Sequence, residues 1–177
     1  VQRLSGIATL TRQFVQRLEG LPCKICDTRK TTPMLRILEK RAVVHGGGAN
    51  HRHSLFNGIL IKENHIMMAG GISEAVRRAA EGSHHLMKVE VEVRNLDEFD
   101  EAMAARADAI LLDNMSNDAM REAVRRAVGH QVLLEASGNA TLDRVREMAE
   151  TGVHLISVGA LTHSARSLDL TLLIEHV

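Results

Sequence analysis

Val89-Glu90-Val91-Glu92-Val93, then Asn95-Leu96, then Ala109-Ile110-Leu111-Leu112-Asp113, decide the fold. The first run alternates apolar and acidic residues, the period of a strand, so Glu90 and Glu92 share one face. Asn95 suits a helix cap, and Leu96, Phe99 and Met103 follow at helical spacing. The last run is short and apolar and finishes in an acid. Strand, helix and strand in succession make parallel neighbours joined by a crossover.

The pattern repeats in both directions. Cys23–Cys26, Ile59–Ile61, Val132–Leu134 and Leu155–Val158 are further strand-like runs, giving about six strands. Between them, Met34, Leu35, Ile37 and Leu38 lead into a helix ahead of Arg41. Ser73 is the expected cap of a helix carrying Ala75, Val76 and Ala79, and Ser116 or Asn117 of one carrying Met120 and Ala123. Thr141 is the expected cap of a helix carrying Leu142, Val145 and Met148. Leu4, Ile7, Phe14 and Leu18 mark a leading helix over residues 1–20. The expected architecture is α/β, one parallel domain across 1–177, with strands buried on both faces. If the sheet curves into a barrel, Glu90 and Glu92 face its interior or mouth. Val1 opens as if in mid-helix, without an initiator Met or a cap, so the chain reads as a piece of something longer.

Composition narrows the function classes. Lys+Arg and Asp+Glu both number 22, which argues against a protein that coats nucleic acid. With no Trp, no Tyr and three Phe there is little surface for stacking bases. No apolar run approaches the ~20 residues of a membrane span. Two Cys and no charged-then-apolar leader suggest a cytoplasmic setting.

The runs finish in polar residues or glycine: Asp27, Lys62, Asp113, Glu135 with Ser137-Gly138, and Gly159. Ligands of parallel α/β folds bind at the carboxyl ends of strands. Two cation-rich segments, Asp27-Thr28-Arg29-Lys30-Thr31-Thr32-Pro33 and Gly46-Gly47-Gly48-Ala49-Asn50-His51-Arg52, make that end a pocket for an anion, with the glycines read as part of it. Other motifs read as structural. Cys23 and Cys26, three apart on a strand, point to opposite faces. Arg77-Arg78, Arg125-Arg126 and His84-His85 read as solvated surface, Met67-Met68 as core filling, and His51 as a substrate contact rather than a metal ligand.

The ordered motifs Asp27-Thr28-Arg29-Lys30-Thr31, Gly46-Gly47-Gly48 with Asn50-His51-Arg52, Leu60-Ile61-Lys62, Glu90-Val91-Glu92-Val93, Leu111-Leu112-Asp113-Asn114, Glu135-Ala136-Ser137-Gly138 and Val158-Gly159-Ala160-Leu161-Thr162-His163 closely resemble the C-terminal domain of quinolinate phosphoribosyltransferases. The resemblance implies an open, incomplete α/β barrel preceded by an N-terminal α/β sandwich domain that these 177 residues lack. It implies transfer of phosphoribosyl from phosphoribosyl pyrophosphate to quinolinate with decarboxylation, giving nicotinate mononucleotide, pyrophosphate and CO2 in NAD biosynthesis. It assigns Arg29, His51, Arg52 and Lys62 to quinolinate, Lys30 to the diphosphate, and Thr28 to the same rim. It assigns Glu92 and Asp113 to ribose and, through water, to Mg2+, with Lys30, Lys62, Glu92 and Asp113 as the catalytic set. The amides of Ser137-Gly138-Asn139 and Val158-Gly159-Ala160, with His163 nearby, would cradle the 5′-phosphate.

The resemblance also implies a homo-oligomer with a shared site, to which a neighbouring subunit lends an Arg from the segment preceding the barrel. A charge-assisted hydrogen bond of that kind contributes ~1.5–3 kcal/mol, so residues 1–177 alone should bind quinolinate weakly. Met34 stands where the family usually has Gly, and Arg94 where an acid is common. Two alternatives stand beside the enzyme: a truncated or degenerate copy keeping fold and oligomer interface, and a sister phosphoribosyltransferase for another anionic ring.

Overall fold

The computed structural model describes residues 1–175, and in it six strands form one all-parallel sheet in the order β1-β6-β5-β4-β3-β2. The strands are β1 (Lys24–Cys26), β2 (Ile59–Ile61), β3 (Val89–Val93), β4 (Ala109–Asp113), β5 (Leu133–Ser137) and β6 (Leu155–Ser157). β2 to β6 lie side by side in chain order, and β1 joins the far edge beside β6. β1 and β2 are left unpaired with one another, so the sheet is an open barrel. The helices are α1 (Gln2–Arg17), α2 (Arg36–His45), α3 (Glu63–Ala69), α4 (Ile72–Glu81), α5 (Leu96–Ala104), α6 (Asn117–Arg126), α7 (Val145–Ala149) and α8 (Ala160–His163). None of the helices in the described residues is long and apolar enough to cross a membrane.

Alternation along the strands separates a core from a cavity. Val89, Val91 and Val93 are buried, as are Ile110 and Leu112 of β4, Leu134 and Ala136 of β5 and Ile156 of β6. With Phe99, Met120, Val145 and Met148 from the helices they form the core. The opposite face carries Glu90 and Glu92, Leu111 and Asp113, Glu135 and Ser137, which the parallel register sets in neighbouring rows. The central strands are buried on both faces as expected, Leu111 and Glu135 included, but only one of those faces is apolar. One face packs against helices and the other lines a polar pocket.

Several local expectations are corrected. Ser73 does not cap α4. Gly71 does, and the Ser73 amide donates instead to Glu101 of α5 at 2.9 Å. α2 starts at Arg36, so Met34 and Leu35 precede it. Met34 in the connection has φ +66° and is fully exposed. α3 had no clear helix signal, and its Met67 and Met68 lie on the surface, not in the core. Gly46 and Gly48 serve helix packing, not the pocket. A Cβ on Gly46 would lie 2.5 Å from the Ala8 carbonyl oxygen, and one on Gly48 2.8 Å from Thr11 and Val43. Cys23 and Cys26 are both buried free thiols. Burial pushes Cys23 up to about 12, an unreactive thiol.

Candidate active site

The carboxyl ends of the strands surround a cavity of about 770 Å³. Thr28, Arg29, Lys30, His51 and Arg52 line it from the segments after β1 and α2. Lys62, Glu92, Asp113, Ser137, Gly138 and Asn139 line it from β2 to β5, and Val158, Gly159, Ala160 and His163 from the turn after β6. The residues that the resemblance assigns to the substrates thus meet in one place, whereas Asp27 and the Gly46–Gly48 run do not line it. Lining residues to which the resemblance assigns no role are Leu60, Leu111, Asn114, Glu135, Ala140 and Ser157.

A buried clamp aims the cations. Asp27 and Lys40 are fully buried and ion-paired. Asp27 also accepts the Asn50 side-chain amide at 2.6 Å and the His51 backbone N–H at 2.9 Å, while Lys40 donates to the His51 carbonyl at 2.9 Å. A second network holds the Arg29–Lys30 segment. Arg3 of α1 donates to buried Glu39 at 2.7 Å, to Thr32 at 2.7 Å and to the Thr162 carbonyl at 2.8 Å. Thr162 in turn donates to the Lys30 carbonyl at 2.7 Å. The pocket is thereby tied to α1, α2 and α8.

Arg29 and Arg52 are close enough for their charges to act on one another. Burial, and then Arg29, lower the Arg52 pKa from its ordinary value. Arg52 spends one N–H on the Gly58 carbonyl at 2.6 Å. The Nε of each guanidinium is buried and has no partner among the described residues. Two like charges with buried donors to spare form a receptor for an anion with several oxygens. Lys62 pairs with Glu92 at the mouth, so its charge is shared, not free.

On the pocket floor, His51 Nε2 is 3.0 Å from Glu90 and 3.8 Å from Glu135. Their ligand atoms lie within 4.8 Å of one another, near enough to surround a cation. The ring contacts oppose that use. The Arg52 amide donates to His51 Nδ1 at 2.8 Å, so the ring proton sits on Nε2 and is given to Glu90. A metal-bound histidine normally donates through its other nitrogen. The Glu90 hydrogen bond raises the His51 pKa and burial opposes it. Burial first, then the Glu90 charge, push Glu135 up to about 7, against the pull of His51.

The far wall is a tight turn pair. Asn114 has φ +53°, Gly138 φ +91° and Asn139 φ +50°. Asn114 donates to Asp113 at 3.0 Å and accepts from Asn139 at 3.1 Å. A Cβ on Gly138 would stand 2.2 Å from the Asn114 side chain, so only glycine fits there. A Cβ on Gly159 would come within 3.1 Å of His163 and 3.3 Å of Lys30, so His163 and Lys30 face each other across that turn. One expected amide is not available: Val158 N–H donates to the Cys26 carbonyl at 2.9 Å and is spent in the sheet.

The family model for the quinolinate phosphoribosyl transferase C-terminal domain matches residues 7–173. The chain belongs to this family. It is 48% identical over 172 residues to a Bacillus subtilis protein named probable nicotinate-nucleotide pyrophosphorylase (carboxylating), covering 97% of this chain and 59% of that one. It is 42% identical to a quinolinate phosphoribosyltransferase (decarboxylating) of Nicotiana tabacum, covering 99% of this chain and 54% of that one. The solved nicotinate-nucleotide pyrophosphorylase of Francisella tularensis superposes with a TM-score of 0.92 at 47% identity, over 97% of this chain and 60% of that one. The chain therefore spans rather more than half the length of the relatives it matches. Within the family domain, Arg94 pairs with Glu63 and Glu98 on the outer surface.

Proposed function

We propose that the chain is the barrel part of an enzyme that joins quinolinate to the ribosyl group of phosphoribosyl pyrophosphate and releases pyrophosphate and CO2. The carrying observation is the Arg29–Arg52 pair, two half-buried guanidiniums with buried, unused Nε donors above a polar floor. Quinolinate bears two adjacent carboxylates, and forked guanidinium donors bind such groups bidentately. Thr28 shares that rim, and Lys30 and His163 suit the phosphates. Gly138, Asn139, Gly159 and Ala160 offer the close backbone approach that a 5′-phosphate needs.

As pyrophosphate leaves, positive charge grows on the ribose anomeric carbon. Glu92 and Asp113, on neighbouring strands at the mouth, are oriented to offset it and to accept from ribose hydroxyls. Their carboxylate oxygens are also the hard donors Mg2+ prefers, directly or through water, and Mg2+ would neutralise the diphosphate there. Lys62 pairs with Glu92 and holds its carboxylate at the mouth. Once the ring nitrogen is alkylated it is positive and accepts the electron pair left by the departing carboxylate. The residues need only hold that carboxylate in place and keep water away.

The reading carries a cytoplasmic setting, in keeping with two free cysteines. It also carries a homo-oligomer with a shared site. Exposed Phe56, Met67 and Met68 provide apolar surface for such a partner. The test is formation of nicotinate mononucleotide by the intact gene product, beside its Arg29→Ala and Asp113→Ala variants. The first should mainly weaken quinolinate binding and the second mainly slow turnover. An active protein whose Arg29→Ala variant keeps native quinolinate affinity would overturn the assignment of the pocket.

A further inference from the structure

Glu135 is the acid on the pocket floor for which the expected chemistry has no use. Its side chain is 2% exposed, against 16% for Glu92 at the mouth. Its Oε1 is buried and has no hydrogen-bond partner among the described residues, and its Oε2 lies 3.8 Å from His51 Nε2. That nitrogen has one proton and gives it to Glu90 at 3.0 Å. Two carboxylates therefore converge on a single N–H. In a desolvated site such a pair does not ionise twice, and one member keeps a proton. The deeper acid, which lacks the N–H, is the one to keep it.

The groups around Glu135 agree. Glu90 on β3 and Asp27 beyond β1 repel a negative charge there, and Cys26 of β1 is itself driven to the thiol form. His51 and the Ser157 hydroxyl of β6 act the other way. Lys40 of α2 lies behind Asp27, and its charge is taken up by that carboxylate. Burial dominates, and Glu135 rises to about 7.

We propose that Glu135 is a substrate-recognition residue: a carboxylic acid that donates its own hydrogen bond to a carboxylate of the pyridine dicarboxylate held by Arg29 and Arg52. The inference rests on the quinolinate reading above. An ionised floor repels a dianion, whereas an O–H binds it. The proton thus converts Glu135 from an obstacle into a contact, and a ring without the matching carboxylate leaves a buried O–H unpaired.

Calorimetric titration of quinolinate into the intact gene product tests this from about pH 6 to about pH 8.5. With the acid form alone competent, Kd should rise roughly 30-fold across that range, the loss set by a group titrating near 7. Near pH 8, buffers of different ionisation heat should report about one proton taken up per quinolinate bound. Glu135→Gln keeps a donor that does not titrate, so its affinity should be within a few-fold of native at pH ~6 and flat above, with no proton uptake. Native protein that binds quinolinate with flat affinity and no proton uptake overturns the proposal and leaves the enzyme reading standing. So does a Glu135→Gln protein with the native slope. Native protein that binds no quinolinate at any pH overturns the enzyme reading, and this proposal with it. The proton count needs no variant, so a poorly folding substitution cannot mask the answer.

Discussion

Replacing Lys40 by Met removes one half of a fully buried ion pair while nearly preserving side-chain volume. Asp27 and Lys40 are both at 0% exposure, and Lys40 also ties the His51 carbonyl at 2.9 Å. In Lys40→Met the Asp27 carboxylate keeps two neutral donors, the Asn50 amide at 2.6 Å and the His51 N–H at 2.9 Å. Breaking a buried pair from one side costs about 3–5 kcal/mol, because an uncompensated charge stays behind. Removing both charges, as in Asp27→Asn with Lys40→Met, should return at least about half of that, since no buried charge remains. Urea unfolding followed by circular dichroism gives both numbers, with each variant compared at matched m-value. A Lys40→Met cost below about 1 kcal/mol would refute the argument. So would a double variant less stable than the single one, since the loss would then lie in packing.

Two further predictions concern stability. Glu135 is raised from its unfolded value to about 7, a shift of about 2.5 pH units worth roughly 3 kcal/mol. Its stabilising proton is fully held below pH ~4.5 and lost as pH rises toward ~7, so native stability relative to Glu135→Gln should fall by about that amount across this window and then level off; parallel pH profiles for the two proteins would contradict this. Met34→Gly should raise stability by up to about 1 kcal/mol, because Met34 has φ +66° and its side chain, fully exposed, would forfeit no packing. A lower melting temperature in that variant would show that the left-handed turn is not strained.

Much of the architecture was legible because the strand signal is local. Val89–Val93 alternates in its own sequence, and Ser116 and Asn95 cap the helices they precede, accepting from Ala119 at 3.2 Å and Glu98 at 2.9 Å. The pocket was legible because its polar residues fall at the ends of apolar runs. What escaped depends on distant partners. Nothing in the local sequence marks Glu39 and Lys40 of α2 as buried, and only the fold brings Arg3 and Asp27 to them. Glu135 was read as the end of a short run, whereas β5 continues to Ser137 and turns it toward the floor. The triple glycine looked like a ligand loop because sequence cannot show that Thr11 of α1 fills the space beside it. Met67 and Met68 were misplaced because an apolar pair does not tell whether its helix is covered.

Arg3 touches α2, the Thr32 turn and the α8 carbonyl at once, 2.7–2.8 Å from each. It therefore behaves as a peg through three plates. The second residue of the first helix belongs to the machinery of the pocket, although it never meets a ligand. Shortening the protein by a single turn at that helix would leave every lining residue in the sequence, yet would strip buried Glu39 of its cation and leave the loop bearing Arg29 and Lys30 held to α2 only by the Thr32 amide and Arg36. The boundary of the working unit is set by that peg, not by the first strand.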